Sequence, residues 1–409
     1  MLFYGIDREV KSLSRISQKA YYEHYLTISK QGIDDRFSSS SVDFVKALLN
    51  EAIGSQVTTP INQSELQLFN TVRIKDSTTF EVHSSLAHIF EGFGKGGGPN
   101  SKAGISIQYE FDIKNNKVFE IDIKSATQSD SRDAIAKKES IQKGDLIIRD
   151  LGYYSDDIIA HFLTKEAFFI SKLYHNVSVR LNQDDMKKVD FQAIYHDMIN
   201  TGKTHLDLNV FIGKKKRPVR LIAVLMPEDV YQKRVNRINK DNKSRGYTVS
   251  DEFKSRAHFN FIICNIPETQ CSWETICNLY RIRWQIELVF KIWKSIMKID
   301  QLPKMRSDRM ITTLYSKLLW ILINWQIVSD CRNYFYKTKS RLLSVSKCFK
   351  TLTEKTIQLR DGLLNFRRRL ERILFEFIDI LRENHWSEKR KNRQNFEEII
   401  DLLFCKSNI

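Results

Sequence analysis

Apolar and polar residues alternate along two neighbouring stretches in the first third of the chain. Residues 105–113 read Ile-Ser-Ile-Gln-Tyr-Glu-Phe-Asp-Ile, and residues 117–124 read Lys-Val-Phe-Glu-Ile-Asp-Ile-Lys. Alternation with a period of two is typical of β-strands, and the intervening Asn115-Asn116 suits a tight turn. The pattern therefore predicts a β-hairpin.

Further strands are predicted on both sides of this hairpin. One begins at Val72 and is expected to end near Asp76, and a short apolar strand is expected to stop at Asp150, just before a turn at Gly152. A third covers residues 167–174, and helices are predicted between the later strands. Strand, hairpin, helix, strand, helix, strand resembles the order of an RNase H-like α/β sheet.

A helix with a polar stripe and an apolar back is predicted over residues 280–294. At 100° per residue the stripe contains Tyr280, Arg283, Glu287, Lys291 and Lys294. One carboxylate among three cations suits a site that holds a metal ion and the phosphates around it. The alternative is a solvated helix face with an Arg283–Glu287 ion pair.

Two further carboxylates are expected to join Glu287. The first strand and the strand after the first helix lie side by side in such a sheet, so Asp76 and Asp150 should meet at one edge. Each of them, taken alone, also suits a turn or a helix cap. Three converging carboxylates would supply the oxygen ligands for two Mg²⁺ ions, which support in-line attack on a phosphodiester.

The charge of the chain indicates a polyanionic partner. The 409 residues carry a net charge of +16, which favours nucleic acid or an anionic membrane surface. The most apolar run, residues 311–328, contains Lys317 and Asn324 and is therefore predicted to be a buried helix rather than a membrane span. The six cysteines form no CxxC pair, and no signal peptide is visible, so a cytoplasmic, nucleoid-associated protein with reduced thiols is expected.

The spacing Tyr280-x2-Arg283-x3-Glu287-x6-Lys294 resembles the tyrosine–arginine–glutamate–lysine signature of the insertion-sequence-four family of DDE transposases. Asp76-Ser-Thr-Thr-Phe and Asp150-Leu-Gly-Tyr-Tyr agree with it at the two aspartate positions. The resemblance implies that Asp76, Asp150 and Glu287 are the catalytic, metal-binding triad, with Mg²⁺ as cofactor and Mn²⁺ as a substitute. It also implies that Tyr280, Arg283 and Lys294 grip phosphates at the transposon end.

Basic residues are densest between Val177 and Phe261, after the strand at 167–174 and before the signature helix. Lys214, Lys215, Lys216 and Arg217 are predicted to track DNA phosphates, and Lys172 and Lys291 are further candidates for DNA contacts. The alternative for this basic block is a merely solvated polar loop.

Four regions are predicted along the chain. They are a helical N-terminal region (1–70), an RNase H-like core (71–176 and 262–300), a basic β-rich insertion (177–261) and a helical C-terminal region (301–409). Ser38–Ser41 offers an N-cap for a helix in the first of them.

The function expected from these features is that of a DNA transposase. It would cut double-stranded DNA at the inverted repeats of an insertion sequence and join the ends to target DNA, as a homodimer on DNA. The alternatives are a truncated, transposase-derived protein that binds DNA without cutting it, a metal-dependent nuclease without strand transfer, and a basic scaffolding protein without a site.

Overall fold

The structure is a computed structural model. It describes residues 12–56, 64–94, 102–243, 250–339, 341–365 and 367–388. The strands, in chain order, are β1 (Val72–Val82), β2 (Ala103–Asp112), β3 (Lys117–Ser125), β4 (Leu146–Arg149), β5 (Phe168–Lys172), β6 (Val179–Arg180), β7 (His205–Ile212), β8 (Arg217–Leu225) and β9 (Phe259–Cys264).

The helices, in chain order, are α1 (Leu13–His24), α2 (Lys30–Asp34), α3 (Ser39–Gly54), α4 (Asp130–Ala136), α5 (Asp156–Thr164), α6 (Phe191–Thr201), α7 (Glu228–Lys243), α8 (Asp251–Ala257), α9 (Trp273–Ile282), α10 (Trp284–Ser295), α11 (Ser307–Lys339), α12 (Val345–Glu354), α13 (Thr356–Asn365) and α14 (Arg367–Asn384). The predicted N-cap is confirmed, since Ser38 precedes α3 and forms a capping box with Ser41.

The strands form one mixed sheet in the order β3-β2-β1-β4-β5-β9-β8-β7-β6. β1, β4 and β5 are parallel neighbours, whereas the pairs β2/β3, β5/β9, β9/β8, β8/β7 and β7/β6 are antiparallel. The predicted hairpin is confirmed as β2–β3, and the predicted order from β1 to β5 is present. The mixed α/β fold class is confirmed.

The chain divides into two compact units. The first unit contains helices α1–α3, Ser77–Gln128 and the described residues from Trp284 to Glu388; the second contains the segment that ends at Asp76 and Ser129–Arg283. The second unit has a core of apolar side chains from β4, β5 and β7–β9 with α5 and α6, among them Ile147, Phe169 and Ile263. In the first unit a hydrophobic core lies among α10–α14.

The first strand does not end at Asp76 as predicted. β1 continues to Val82, because Thr78, Thr79 and Phe80 favour extended backbone. Asp76 therefore lies within a strand, at the point where its neighbour β4 has already ended.

The segment predicted as a basic β-rich insertion is mixed in structure. It contains β6, β7 and β8 together with α6, α7 and α8, and its strands continue the sheet next to β9 instead of forming a sheet of their own. The reason is that β9 offers a second edge on which β8 pairs over six residues, from Arg220↔Cys264 to Leu225↔Phe259.

The predicted buried helix is confirmed as part of α11, in which Leu318, Ile321 and Asn324 are buried. None of the described helices is long and apolar enough to cross a membrane. The helix α14 packs Ile373, Phe377 and Leu381 into the core of the first unit. The cysteines described are free thiols, and Cys405 lies outside the described residues.

Candidate functional site

The two predicted aspartates lie at equivalent places on neighbouring strands. β1 and β4 are parallel, and the last paired residues are Lys75 and Arg149. Asp76 is the next residue of β1, and Asp150 directly follows the end of β4, so the register of the sheet brings them side by side. All four residues of β4 are buried, which fixes the strand that leads to Asp150.

One guanidinium joins the two carboxylates. Arg283 places its Nη1 atom 3.0 Å from Asp76 Oδ2 and its Nη2 atom 3.9 Å from Asp150 Oδ2. The Arg283 side chain is 7% exposed, whereas that of Asp150 is 44% exposed. The site is thus closed on the side of Arg283 and open to solvent at Asp150.

Arg283 also interrupts the helix that carries the signature. A single helix was expected over residues 280–294, but α9 ends at Ile282 and α10 begins at Trp284. The Arg283 amide donates a hydrogen bond to the Tyr280 carbonyl, three residues earlier. This is the spacing of a 3₁₀ turn, which is tighter than the four-residue spacing of an α-helix. The prediction of one continuous helix is therefore wrong, because Tyr280 lies in α9, Arg283 lies between the helices, and Glu287, Lys291 and Lys294 lie in α10.

Tyr280 contacts Asp150 directly. Its hydroxyl donates to Asp150 Oδ1 at 3.1 Å. Burial, followed by the negative charge of Asp150, raises the pKa of Tyr280 well above its ordinary value. The phenol thus remains a hydrogen-bond donor at any physiological pH and holds Asp150 in place.

Lys172 approaches the same phenol from β5. Its ammonium lies 5.3 Å from the centre of the Tyr280 ring and donates to Asn260 Oδ1. Burial and then the charge of Arg234 lower the pKa of Lys172 from 10.5 to about 8. Lys172 is therefore a half-buried cation near the carboxylates rather than a surface lysine.

Two buried ion pairs support the strand that carries Asp76. Lys75 Nζ lies 2.6 Å from Asp133 Oδ2 on α4, with both side chains 0% exposed. Arg73 lies 3.5 Å from Asp145 and donates to the Ser140 carbonyl. Sequence reasoning missed these pairs, since each joins residues that are 58 or more positions apart in the chain.

The remaining signature residues lie on α10, within the first unit. Glu287 and Lys291 are exposed one turn apart. Lys294 donates to the Thr79 carbonyl on β1 at 3.0 Å. The apolar side of this helix is buried as predicted, with Ile286 and Trp293 at 0% and 2% exposure.

The chemistry of Asp76 and Asp150 fits a divalent cation. Both are hard oxygen donors, and they already share one positive group, the Arg283 guanidinium. Among the described residues, no group of three or more His, Cys, Asp or Glu side chains is arranged to hold a metal ion. The convergence of Glu287 with the two aspartates stays a prediction.

The basic block lies in the turn between β7 and β8. Lys214 and Lys215 are exposed there, but Lys215 lies 3.4 Å from Asp156 and 3.2 Å from Asp157, at the start of α5. Arg217 lies 3.4 Å from Asp156. Part of the positive charge that the sequence suggests for DNA is therefore balanced within the protein.

Comparison with known proteins identifies the family. Residues 67–323, more than half of the chain, match the family model described as "Transposase DDE domain". The chain belongs to this DDE transposase family. It is 26% identical over 410 residues to the transposase of insertion sequence element IS231E from Bacillus thuringiensis subsp. finitimus, covering 96% of this chain and 85% of that protein. With the transposase of element IS1151 from Clostridium perfringens it shares 26% identity over 422 residues, covering 99% of this chain and 89% of that protein.

Among solved structures, one of Ciona intestinalis endonuclease V in complex with DNA covers 59% of this chain and 88% of its own, at a TM-score of 0.22 and 13% identity, too low to indicate a shared fold.

The DDE transposase family confirms the main expectations from the sequence. The protein is a DNA transposase, an enzyme of the insertion-sequence-four kind with an RNase H-like fold. The alternatives are not favoured, since the relatives that match over most of their length are named transposases. Membership in the family implies a divalent metal ion as cofactor and DNA as partner.

Proposed function

We propose that this transposase cleaves DNA at the ends of an insertion sequence and joins the freed ends to target DNA. Asp76, Asp150 and Glu287 are the catalytic carboxylates in this proposal, with two Mg²⁺ ions as cofactor and Mn²⁺ as a substitute. The observation that supports it most is the pair of aspartates directly after the paired residues of two parallel strands, both of which contact Arg283. When bound, the metal would activate a water or hydroxyl nucleophile and stabilise the leaving oxygen.

The experiment for this proposal uses a labelled duplex that carries one end of the element beside its flanking DNA. We expect strand breaks at the end of the element with Mg²⁺ or Mn²⁺, and joined products when target DNA is added. Breaks without joined products would support the nuclease alternative, and neither product would contradict the proposal.

The other residues of the site are assigned to DNA. These residues belong to the signature helix or lie close to Tyr280, and their donor groups suit phosphate oxygens. They are Tyr280, Arg283, Lys172, Lys291 and Lys294. Since two ends of an element must be held together, we expect a homodimer on DNA. We further propose that the protein is cytoplasmic and associated with the nucleoid. Its proposed domains are the N-terminal region 1–70, the core 71–176 with 262–300, the insertion 177–261 and the C-terminal region 301–409.

Arg283 is expected to compete with the metal ion. Because its guanidinium lies against Asp76 and Asp150, Arg283→Ala removes the positive group that a metal ion must displace. We expect Mn²⁺ affinity of the DNA-free protein to rise about tenfold, the equivalent of one charge-assisted hydrogen bond, while DNA affinity falls. Calorimetric titration measures the Mn²⁺ affinity, with Arg281→Ala as control, since Arg281 is exposed in the last turn of α9, two residues before Arg283. Weaker Mn²⁺ binding by Arg283→Ala would show instead that the arginine holds the aspartates in position.

Lys172 should make DNA binding sensitive to alkaline pH. With a pKa lowered to about 8, its charge is present below that pH and lost above it in the folded protein. DNA affinity should therefore decline from pH 7 to pH 9, and Lys172→Arg should remove the part of the decline that Lys172 causes, because arginine stays charged. Identical pH profiles of DNA affinity for the two proteins would place Lys172 away from the DNA.

The same pKa shift affects folding. Between pH 8 and 10.5 the unfolded chain binds a proton that the folded chain lacks, so the free energy of unfolding increases as the pH rises through this range.

The turn between β7 and β8 carries two cations that contact acidic residues, Lys215 and Arg217, beside Lys214 and Lys216. Replacing Lys214 and Lys216 by Ala should reduce the slope of log affinity against log salt concentration by about one unit per phosphate contact. Replacing Lys215 and Arg217 should reduce it less, since these residues already contact Asp156 and Asp157. Equal reductions in the two double variants would show that DNA displaces the internal pairs, and no reduction would place the contacts elsewhere.

A further inference from the structure

The start of α9 is held by a buried arginine on β8. Arg220, 4% exposed, donates from Nη1 to the carbonyls of Ile266 at 3.1 Å and Cys271 at 2.7 Å. These carbonyls bracket the loop that connects β9 to α9. The same guanidinium donates from Nε and Nη2 to Asp207 on β7 at 2.8 and 2.6 Å. One side chain thus ties two strands to the loop before the helix.

An aromatic stack holds the first residue of the same helix. The His205 ring on β7 lies parallel to Trp273, with centroids 4.1 Å apart and an angle of 19°. Trp273 begins α9, and Tyr280 follows seven residues later, about two turns or 10 Å along the axis. The Arg220 hydrogen bonds and the His205–Trp273 stack therefore fix the start of α9, and with it the positions of Tyr280 and Arg283.

The distinctive contribution of Arg220 is its set of directed hydrogen bonds, and not its contribution to folding stability. A buried ion pair contributes little more to stability than an apolar pair of the same volume, because both charges must be desolvated. An apolar residue in its place could not donate hydrogen bonds to the two loop carbonyls and to Asp207 at the same time. At the other end of α9, small displacements matter: Tyr280 donates to Asp150 at 3.1 Å, and Arg283 lies 3.0 Å from Asp76.

We propose that Arg220 and Trp273 are positioning residues of the transposase reaction, which place α9 so that Tyr280 and Arg283 meet Asp150 and Asp76 in the reactive geometry. This inference rests on the proposed function of the two aspartates. A shift of about 1 Å in a reacting constellation lowers rates about a hundredfold, so loss of the anchor should affect the rate more than the affinity for DNA.

The chain provides a matched control in Arg256. This arginine is also 4% exposed and donates to two backbone carbonyls, those of Val177 and Tyr174, and within the described part of the chain its contacts do not include the loop before α9. Arg256→Gln should therefore also cost stability, because two buried carbonyls lose their donor, but it should not loosen α9. For the aromatic stack, Trp273→Phe keeps a ring against His205 and Trp273→Ala removes it.

Hydrogen exchange and cleavage together test the inference. Exchange in the peptide that covers residues 273–283 should rise at least about tenfold in Arg220→Gln and Trp273→Ala, and should stay unchanged in Arg256→Gln and Trp273→Phe. In single-turnover cleavage with saturating DNA and metal, below the melting temperature of every variant, the first two should be about a hundredfold slower and the second two within about threefold of the wild type. Unchanged exchange in residues 273–283 of Arg220→Gln, or equal rate losses in Arg220→Gln and Arg256→Gln, would overturn the inference. An inactive wild-type protein would contradict the proposed function instead, and the exchange measurement would still decide whether the anchor exists.

Discussion

Replacing Asp150 by Asn should lower the rate of DNA strand cleavage at least about a thousandfold, because the neutral amide no longer supplies the charge that holds a divalent cation. The substitution is nearly isosteric and the side chain is 44% exposed, so the fold should be retained. The Tyr280 hydroxyl can still donate to the amide oxygen. The loss should therefore appear in single-turnover cleavage and not in DNA affinity.

The matched control for Asp150→Asn is Asp251→Asn. Asp251 belongs to the same unit and its side chain is 97% exposed, so its removal should leave cleavage unchanged. A variant at Asp150 that keeps more than a tenth of the wild-type rate would remove this residue from the catalytic set.

Glu287→Gln should have an effect of similar size. Glu287 is exposed in the first turn of α10, so the substitution leaves the core of the first unit intact. If it is the third catalytic carboxylate, the uncharged amide should abolish metal-supported cleavage while the protein still binds DNA through its cations.

Glu274→Gln is the control for this prediction. Glu274 is an exposed acid in the first turn of the preceding helix, α9, and thus occupies a comparable place. Cleavage by Glu274→Gln at the wild-type rate, beside none by Glu287→Gln, would separate catalysis from a general effect of lost negative charge. Equal activity of both variants would leave Asp76 and Asp150 without this third partner.

Much of the sheet was predictable because its strands have strong local patterns. The alternation on either side of Asn115-Asn116 predicts β2 and β3, and the apolar run before Asp150 predicts β4. Once the order of the elements indicates parallel β1 and β4, the proximity of Asp76 and Asp150 follows from pairing alone. The family signature adds the identity of the enzyme.

Contacts between residues distant in sequence were not predictable in the same way. Helical periodicity gives no sign of a break at Arg283, since this residue keeps helical torsion angles and its side chain contacts residues 207 and 133 positions earlier in the chain. Lys75 is fully buried because Asp133 lies against it, and a strand pattern cannot reveal that partner. Composition likewise treats Lys215 and Arg217 as available to DNA, although Asp156 contacts both.

The central claim, that Asp76, Asp150 and Glu287 form one metal site, is tested most directly by counting bound Mn²⁺. Electron paramagnetic resonance of the transposase on a duplex with one element end should show two bound ions for the wild type. Asp76→Asn, Asp150→Asn and Glu287→Gln should each lose at least one of them, while Glu274→Gln and Asp251→Asn keep both. Two ions bound with wild-type affinity in any of the first three variants would contradict the claim.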